Sequence, residues 1–89
     1  MYQSHFTGKF KKDVKLCMKR NYDMNLLNNA ITFLLANGYL PSEYLPHPLK
    51  GTNNDDWECH IKSDWLMIWY IANNEITFVR TGTHADLFK

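Results

Sequence analysis

The fold is decided by the stretch from residue 57 to residue 82, which reads WECHIKSDWLMIWYIANNEITFVRTG. Residues 57–62 alternate between apolar and polar side chains, the pattern of a strand with one buried face. Residues 65–72 are apolar on both faces, which predicts a central, covered strand. Residues 75–81 alternate again. Ser63-Asp64 and Asn73-Asn74 are predicted to form the turns, because Asn tolerates a positive φ. The stretch therefore predicts a three-strand antiparallel meander.

Two helices are predicted upstream of the meander. Thr7 is expected to cap a helix from Gly8 to Arg20 that has an apolar stripe at residues 10, 14 and 17. Asp23 is expected to cap a second helix that stops at residues 37–38, where a glycine favours the left-handed conformation. Helices joined by so few residues form an antiparallel hairpin. With a short strand expected at residues 2–6, the sequence predicts an α+β fold: an N-terminal αα-hairpin packed on a small antiparallel sheet.

Length and composition limit the classes of protein that this chain can belong to. Its 89 residues suffice for one hydrophobic core, so residues 1–89 are expected to form a single domain. The longest apolar run, residues 65–72, is far shorter than the ~20 residues of a membrane span, and no signal-peptide core precedes it. Cys17 and Cys59 lack metal-site spacing and are predicted to be buried free thiols in a reducing compartment. We therefore expect a cytoplasmic protein.

The net charge of +1 arises from an uneven distribution of charged residues. Residues 1–20 contain six Lys and Arg side chains and one acid, whereas the remaining residues contain four and eight. In the first predicted helix, Lys11, Lys15 and Lys19 recur every four residues. Such a face is either solvated or follows a phosphate backbone, and the sequence leaves both interpretations open.

Histidine is the residue type that indicates chemistry in this sequence. His47 lies in a long loop over residues 39–56, His60 lies in the first meander strand, and His84 follows the last strand. Glu58 and Asp64 are close to His60 along the chain. The meander therefore predicts a surface patch of imidazoles and carboxylates.

Such a patch suits proton transfer near neutral pH, because imidazole titrates there. Two imidazoles beside an RNA phosphodiester permit cleavage by the 2′-hydroxyl, one as the base and one as the acid, while a cation stabilises the extra charge. A zinc site built from His60, Asp64 and His84 is an alternative, although no ligand pair has zinc-finger spacing.

Three blocks of sequence indicate a protein family more specifically than the histidine chemistry indicates a function. They read HPLKG at residues 47–51, ECHIKSDWLMI at residues 58–68 and VRTGTHADLF at residues 79–88. Together with KKD at residues 11–13, KR at residues 19–20 and DMN at residues 23–25, they closely resemble the YafQ-type toxins of the RelE/ParE superfamily. The resemblance covers nearly the whole chain. It implies a RelE-like fold, similar to that of microbial RNases.

The resemblance implies a function as well as a fold. It implies the toxin of a type II toxin–antitoxin system, a ribosome-dependent endoribonuclease that cuts translated mRNA without a metal or other cofactor and is inhibited by a cognate antitoxin. The family's catalytic positions fall on His47, His60, Asp64 and His84. Either His47 or His60 is expected to be the base and His84 the acid, with Asp64 orienting an imidazole or sharing the acid role.

Further positions are expected to support catalysis or bind RNA. Glu58 completes the acid-x-His pair of the family, and Phe88 is expected to stack on a base or to position the tail. Phosphate contacts are expected from five cations, namely Lys11, Lys15, Lys19, Lys50 and Arg80.

The sequence departs from the family pattern between residues 52 and 57. The segment TNNDDW lacks the arginine that family members usually carry there, and it contains two acids, Asp55 and Asp56. This departure suggests, as one alternative to the nuclease, a catalytically weakened module that binds antitoxin. A non-nucleolytic ParE-like toxin of the same fold, which inhibits a protein target, is the other alternative. The histidine set favours the nuclease over the ParE-like toxin, because ParE-type chains generally lack it.

Overall fold

The computed structural model describes residues 1–52 and 54–88 of the chain; Asn53 in the predicted long loop and Lys89 in the predicted tail lie outside the described residues. Three helices, α1 (Gly8–Lys19), α2 (Met24–Asn37) and α3 (His84–Leu87), accompany a short 3-10 turn (Ser42–Tyr44). The five strands are β1 (Gln3–Phe6), β2 (His47–Pro48), β3 (Trp57–Lys62), β4 (Trp65–Ala72) and β5 (Glu75–Gly82). They form one sheet in the order β1-β5-β4-β3-β2.

The predicted meander is confirmed by strands β3, β4 and β5, which pair antiparallel in sequence order. Asn73 and Asn74 have positive φ angles of 53° and 61°, the backbone that a two-residue hairpin requires. The β3–β4 turn at Ser63-Asp64 follows a shift in register between His60 and Lys62. Residues 65–69 of β4 are buried, as expected of a central strand.

Two short strands extend the meander at its edges. Within the predicted loop, β2 pairs antiparallel with β3 and places His47 opposite Glu58. At the other edge β1 runs parallel to β5, so the sheet is mostly antiparallel. No hairpin joins β1 to β5. The direction of β1 is instead held at its two ends, where the Gln3 and Thr7 amides donate to the carbonyls of Asn74 and Phe78.

Both predicted helices begin and end as expected. The Thr7 hydroxyl accepts a hydrogen bond from the Phe10 amide at 3.0 Å, and the Asp23 carboxylate accepts one from the Asn25 amide at 3.1 Å. Gly38 ends α2 with a φ of 80°. Among the described residues, no helix has the length and apolar character needed to cross a membrane.

The hydrophobic core lies between the two long helices and one face of the sheet. Cys17 and Cys59 belong to it as free, buried thiols, in agreement with the sequence prediction, and burial raises the pKa of Cys59 to about 12. Its other members include Phe10, Leu27, Leu34, Met67 and Phe78.

The predicted tail forms the short helix α3, which one carboxylate fixes to the rest of the fold. The Asp86 side chain accepts a hydrogen bond from the Thr83 amide at 2.9 Å, and the Thr83 hydroxyl accepts one from the Asp86 amide at 3.1 Å, which completes a capping box. Arg20 donates to both oxygens of the same carboxylate, at 2.7 and 3.1 Å. A Cβ at Gly82 would lie 2.8 Å from the Asp86 carboxylate, so this approach requires glycine.

Replacing Asp86 by alanine is expected to loosen α3 while leaving the sheet folded. The Leu87 and Phe88 amides donate to the Thr83 and His84 carbonyls, so their hydrogen exchange should become several times faster. Amide hydrogen-exchange rates measured by NMR test this prediction, and the amides of β4 serve as the internal reference. Exchange of Leu87 and Phe88 at the parent's rate would contradict the assignment of Asp86 as the anchor of α3.

The same anchor should weaken in acid. Hydrogen bonds from Arg20 and then from Thr83 hold the pKa of Asp86 well below its usual range. A carboxyl with a lowered folded-state pKa stabilises the fold above its unfolded pKa of ~3.9 and loses this contribution as the pH falls below it. Opening of α3 should therefore increase as the pH falls below about 4, toward the much lower folded-state pKa of Asp86. Asp86→Asn should show a weaker pH dependence, because only the Asp64 carboxylate, whose pKa is also lowered by bonds from His84, then remains to titrate against α3.

Candidate active site

The histidine and carboxylate side chains of the meander lie on the sheet face opposite to the helices. Glu58 and His60 alternate along β3 with Cys59 and Ile61, which belong to the core, so they point to the other face. The strand register places Ile68 beside Glu58 and Leu66 beside His60. Both of these β4 side chains are buried, and they form the floor of the site.

Two histidines and an aromatic ring gather where the β3–β4 turn meets α3. The ring centroids of His60 and His84 are 6.2 Å apart, and those of His84 and Phe88 are 6.3 Å apart. Asp64 lies in the turn and contacts His84. The structure thus brings together His60, Asp64, His84 and Phe88, which the sequence singled out from three separate segments.

Asp64 determines how His84 is presented. One carboxylate oxygen accepts hydrogen bonds from the His84 amide at 3.0 Å and from ring Nδ1 at 2.7 Å. These bonds, the amide first, lower the pKa of Asp64, so the carboxylate is charged at neutral pH. Both side chains are more than half exposed. Because Nδ1 donates to Asp64, Nε2 is the ring nitrogen that His84 offers to a substrate.

His60 is oriented in the same way by a backbone oxygen. Its Nδ1 lies 3.2 Å from the carbonyl oxygen of Ser63, and a carbonyl only accepts hydrogen bonds. Nδ1 therefore carries the proton, and Nε2 is left for a substrate. The two neighbouring imidazoles share this arrangement, which suits a pair that takes a proton at one ring and gives a proton at the other.

His47 on β2 and Glu58 on the neighbouring strand β3 form a second cluster. Glu58 precedes His60 by two residues along β3. His47 Nε2 lies 3.2 Å from a Glu58 carboxylate oxygen, and its Nδ1 lies 2.9 Å from the Leu45 carbonyl oxygen. Only 7% of the Glu58 side chain is exposed. The two ring nitrogens of His47 thus face a carboxylate oxygen and a backbone carbonyl oxygen, both of which accept hydrogen bonds. Glu58 and His60 are separated by two strand residues, about 6.6 Å.

Arg80 provides a fixed cation on the same face. The register continues from Glu58 through Ile68 to Arg80, and paired residues of neighbouring strands share a face. Arg80 Nε and Nη2 donate to the two oxygens of Asp13 at 2.7 and 3.2 Å, and the pKa of Arg80 is raised by this bond. No described residue accepts a hydrogen bond from Nη1, so this nitrogen remains available to a ligand.

Among the described residues, none of the histidines and carboxylates of the site forms a hydrogen bond or a salt bridge with the predicted lysines. Lys11 and Lys15 are exposed and lie about 160° around α1 from Asp13, the residue that holds Arg80. Lys19 lies at the end of α1, and Lys50 lies in the loop after β2; both are exposed.

The sequence interpretation missed the acids that hold the cations of the site. Asp13 was counted only as an acid in a basic segment, yet it accepts hydrogen bonds from Arg80 and from the Thr81 amide. Asp86 lies in the segment that the sequence predicts only as a short tail, although Thr83-x-x-Asp86 has the spacing of a capping box and indicates a helix. No local signal marks the contact between Asp13 and Arg80.

Metal binding was the alternative use of the histidine cluster. Among residues 1–52 and 54–88, no group of three or more His, Cys, Asp or Glu side chains is placed to hold a metal ion. The zinc site weighed from the sequence therefore finds no ligand set in this part of the chain.

Comparison with known proteins points to one family. Residues 2–89 match the family model described as the bacterial toxin of the type II toxin–antitoxin system, YafQ. The mRNA interferase toxin YafQ of Escherichia coli K12 is 42% identical over 84 residues, which are 93% of this chain and 91% of that protein.

Solved structures agree with the sequence match. The structure of the E. coli DinJ–YafQ complex superposes with a TM-score of 0.93 at 39% identity and full coverage of both chains. YafQ from E. coli BL21(DE3) gives a TM-score of 0.91 at 38% identity, also with full coverage. From the family match over nearly its whole length and the fold that it shares with these structures, the chain belongs to the YafQ family of toxins of bacterial type II toxin–antitoxin systems.

Proposed function

We propose that this protein is a metal-independent endoribonuclease that cuts translated mRNA on the ribosome. The observation that carries the proposal is the pair formed by His60 and His84, whose rings are 6.2 Å apart and each keep Nε2 available. The name of the E. coli relative, an mRNA interferase toxin, supports the same reaction class.

The two imidazoles divide the proton transfers between them. Neutral His60 takes the proton of a ribose 2′-hydroxyl at Nε2, and the 2′-oxygen attacks the neighbouring phosphorus. The bond from phosphorus to the 5′-oxygen breaks, and His84 gives that oxygen its Nε2 proton. The products are a 2′,3′-cyclic phosphate and a 5′-hydroxyl end. Asp64 stabilises the imidazolium form of His84 before the transfer.

The remaining side chains of the site stabilise charge and position RNA. Arg80 and His47 lie in one row across the sheet, where the Arg80 guanidinium faces the extra negative charge of the phosphorane. Phe88, about half exposed beside His84, provides a face on which a base stacks. Glu58 holds His47 in place.

The exposed lysines suit contacts with ribosomal RNA outside the cleavage site. Lys11 and Lys15 point away from Asp13, so they are free to meet phosphates while the sheet face holds the message. Lys19, at the end of α1, and Lys50, in the loop after β2, are also exposed.

A cognate antitoxin is the proposed protein partner in the cytoplasm. The E. coli relative was crystallised as a DinJ–YafQ complex. Co-expression of the cognate antitoxin should abolish growth arrest by this chain.

Replacing His60 or His84 by alanine should each reduce RNA cleavage by about 10²–10⁴-fold, because each variant lacks one proton transfer. Mapping RNA 5′ ends after brief induction measures the effect in cells. His5→Ala is the matched control, because His5 is exposed on the opposite edge strand β1 and should cut like the parent.

Three outcomes would contradict the nuclease. If both variants fold and cut RNA as well as the parent does, His60 and His84 are not the catalytic pair. Arrest of DNA replication with intact messages would favour a ParE-like inhibitor. A folded parent that binds antitoxin and produces no new RNA ends would indicate a weakened binding module.

Substitutions of Asp64 separate its charge from its hydrogen bonds. Asp64→Asn keeps an oxygen that accepts from the His84 amide and ring, but it lacks the negative charge that favours the imidazolium. Asp64→Ala lacks both. Cutting should therefore decrease from the parent to the asparagine variant and further to the alanine variant. Equal cutting by all three proteins would show that Asp64 has no part in presenting His84.

A further inference from the structure

An apolar pocket lies at the end of the β3–β4 pair that is remote from the candidate active site. Its volume is about 410 Å³. Trp57 at the start of β3 lines it, whereas His60 lies three residues later, and alternation along the strand points these two side chains to opposite faces of the sheet. We call this cavity the aromatic pocket. Its lining residues include Tyr39, Pro46, Asp55, Trp57, Trp69 and Ile71.

Aromatic rings form much of the wall of the aromatic pocket. Trp57 and Trp69 are partners across β3 and β4, with ring centroids 6.4 Å apart and an angle of 28° between the rings. Trp69 is buried and supports Trp57, which is 39% exposed. Tyr39 is 60% exposed, and its ring packs edge-on against Phe33. Exposed apolar side chains that cluster in this way mark an interaction surface, and the faces of their rings attract cations.

The charge at the aromatic pocket is negative. Of the described residues that line it, Asp55 alone is charged. None of the described cations forms a salt bridge with Asp55 or with its neighbour Asp56. Burial and then the charge of Asp55 raise the pKa of Asp56, whose buried Oδ1 has no hydrogen-bond partner among the described residues. These are the two acids by which the sequence departs from the family pattern, and their uncompensated charge complements a cationic ligand.

We propose that the aromatic pocket binds an arginine side chain in an extended segment of a protein partner. The guanidinium stacks on the Trp57 ring and donates to the Asp55 carboxylate, while an apolar neighbour in the segment packs on Ile71 and Pro46. Arginine suits this pocket better than lysine, because the guanidinium is planar and less strongly hydrated than an ammonium. Free arginine suits it less well, because its own carboxylate would meet the acids of the pocket.

NMR titration of the full chain tests the proposal without RNA. The protein carries His84→Ala so that its expression does not arrest growth, and the indole N–H signal of Trp57 reports on the pocket. The probe is acetyl-Leu-Arg-amide, and its matched control is acetyl-Leu-citrulline-amide, which has a similar shape and no charge. The arginine probe should shift the Trp57 signal and bind about fivefold or more tightly than the citrulline probe.

Three variants of the same protein identify the groups that recognise the cation. Asp55→Asn should make the two probes bind about equally, and asparagine tolerates the positive φ of 53° at this position. Trp57→Leu retains an apolar side chain without the ring and should weaken binding of the arginine probe by about threefold or more. Glu43→Gln is the control, because Glu43 is exposed in the neighbouring 3-10 turn, and its titration should match that of the parent.

Equal binding of the two probes by the parent would overturn the proposal, because the pocket would then be an apolar groove that does not recognise a cation. An unchanged preference for arginine in Asp55→Asn, or a probe that shifts the Trp65 signal and not that of Trp57, would overturn it as well. With His84 restored, Asp55→Asn and Trp57→Leu should cut RNA like the parent. Loss of cutting by a folded Asp55→Asn protein would assign Asp55 to RNA binding instead. A parent that makes no cuts overturns the proposed nuclease and leaves the titration as it is.

Discussion

The hydrogen bonds between the Asp64 carboxylate and His84 connect two distant parts of the chain, and the candidate site depends on them. Asp64 lies in the β3–β4 turn and His84 begins α3, twenty residues later. Both side chains are largely exposed, so the pair contributes little to the stability of the fold. Its geometry is instead maintained from both sides, by the meander that carries the turn and by the Arg20–Asp86 anchor that carries α3. The position of His84 therefore depends on two residues outside the candidate site, Arg20 and Asp86.

Ion pairs with acids reduce the number of cations in this protein that are available to bind nucleic acid. Two of the cations that the composition counts as available for nucleic acid are engaged within the fold, since Arg20 binds Asp86 and Arg80 binds Asp13. For Arg80 this pairing fixes the guanidinium beside the sheet face and leaves one nitrogen open. The outward lysines of α1 keep their charge exposed. The near-neutral net charge thus includes two kinds of cation: arginines that are paired with acids within the fold, and lysines of α1 that are exposed.

Much of the fold could be predicted because it depends on patterns among residues that are close together in the sequence. Periodicity in residues 57–82 was sufficient for the meander, and Thr7, Asp23 and Gly38 were sufficient for the helix boundaries, since caps and turns involve residues only a few positions apart. The residue types of the candidate site were also visible, and the family resemblance selected them from other histidines and acids. Their catalytic roles are predictions that rest on the chemistry of imidazole and on the family resemblance.

The sequence by itself determined the elements, their turns and the histidines on them. Only the tertiary structure decided that β2 would form within a loop, that β1 would run parallel to β5, and that Asp13 would hold Arg80 from 67 residues away. It also decided that Phe88 would join His60 and His84 in the patch that the sequence had predicted. The physical reason is the range of the interactions. Periodicity and capping act between neighbours in the chain, whereas these contacts exist only after the core has packed and the strand register has been fixed.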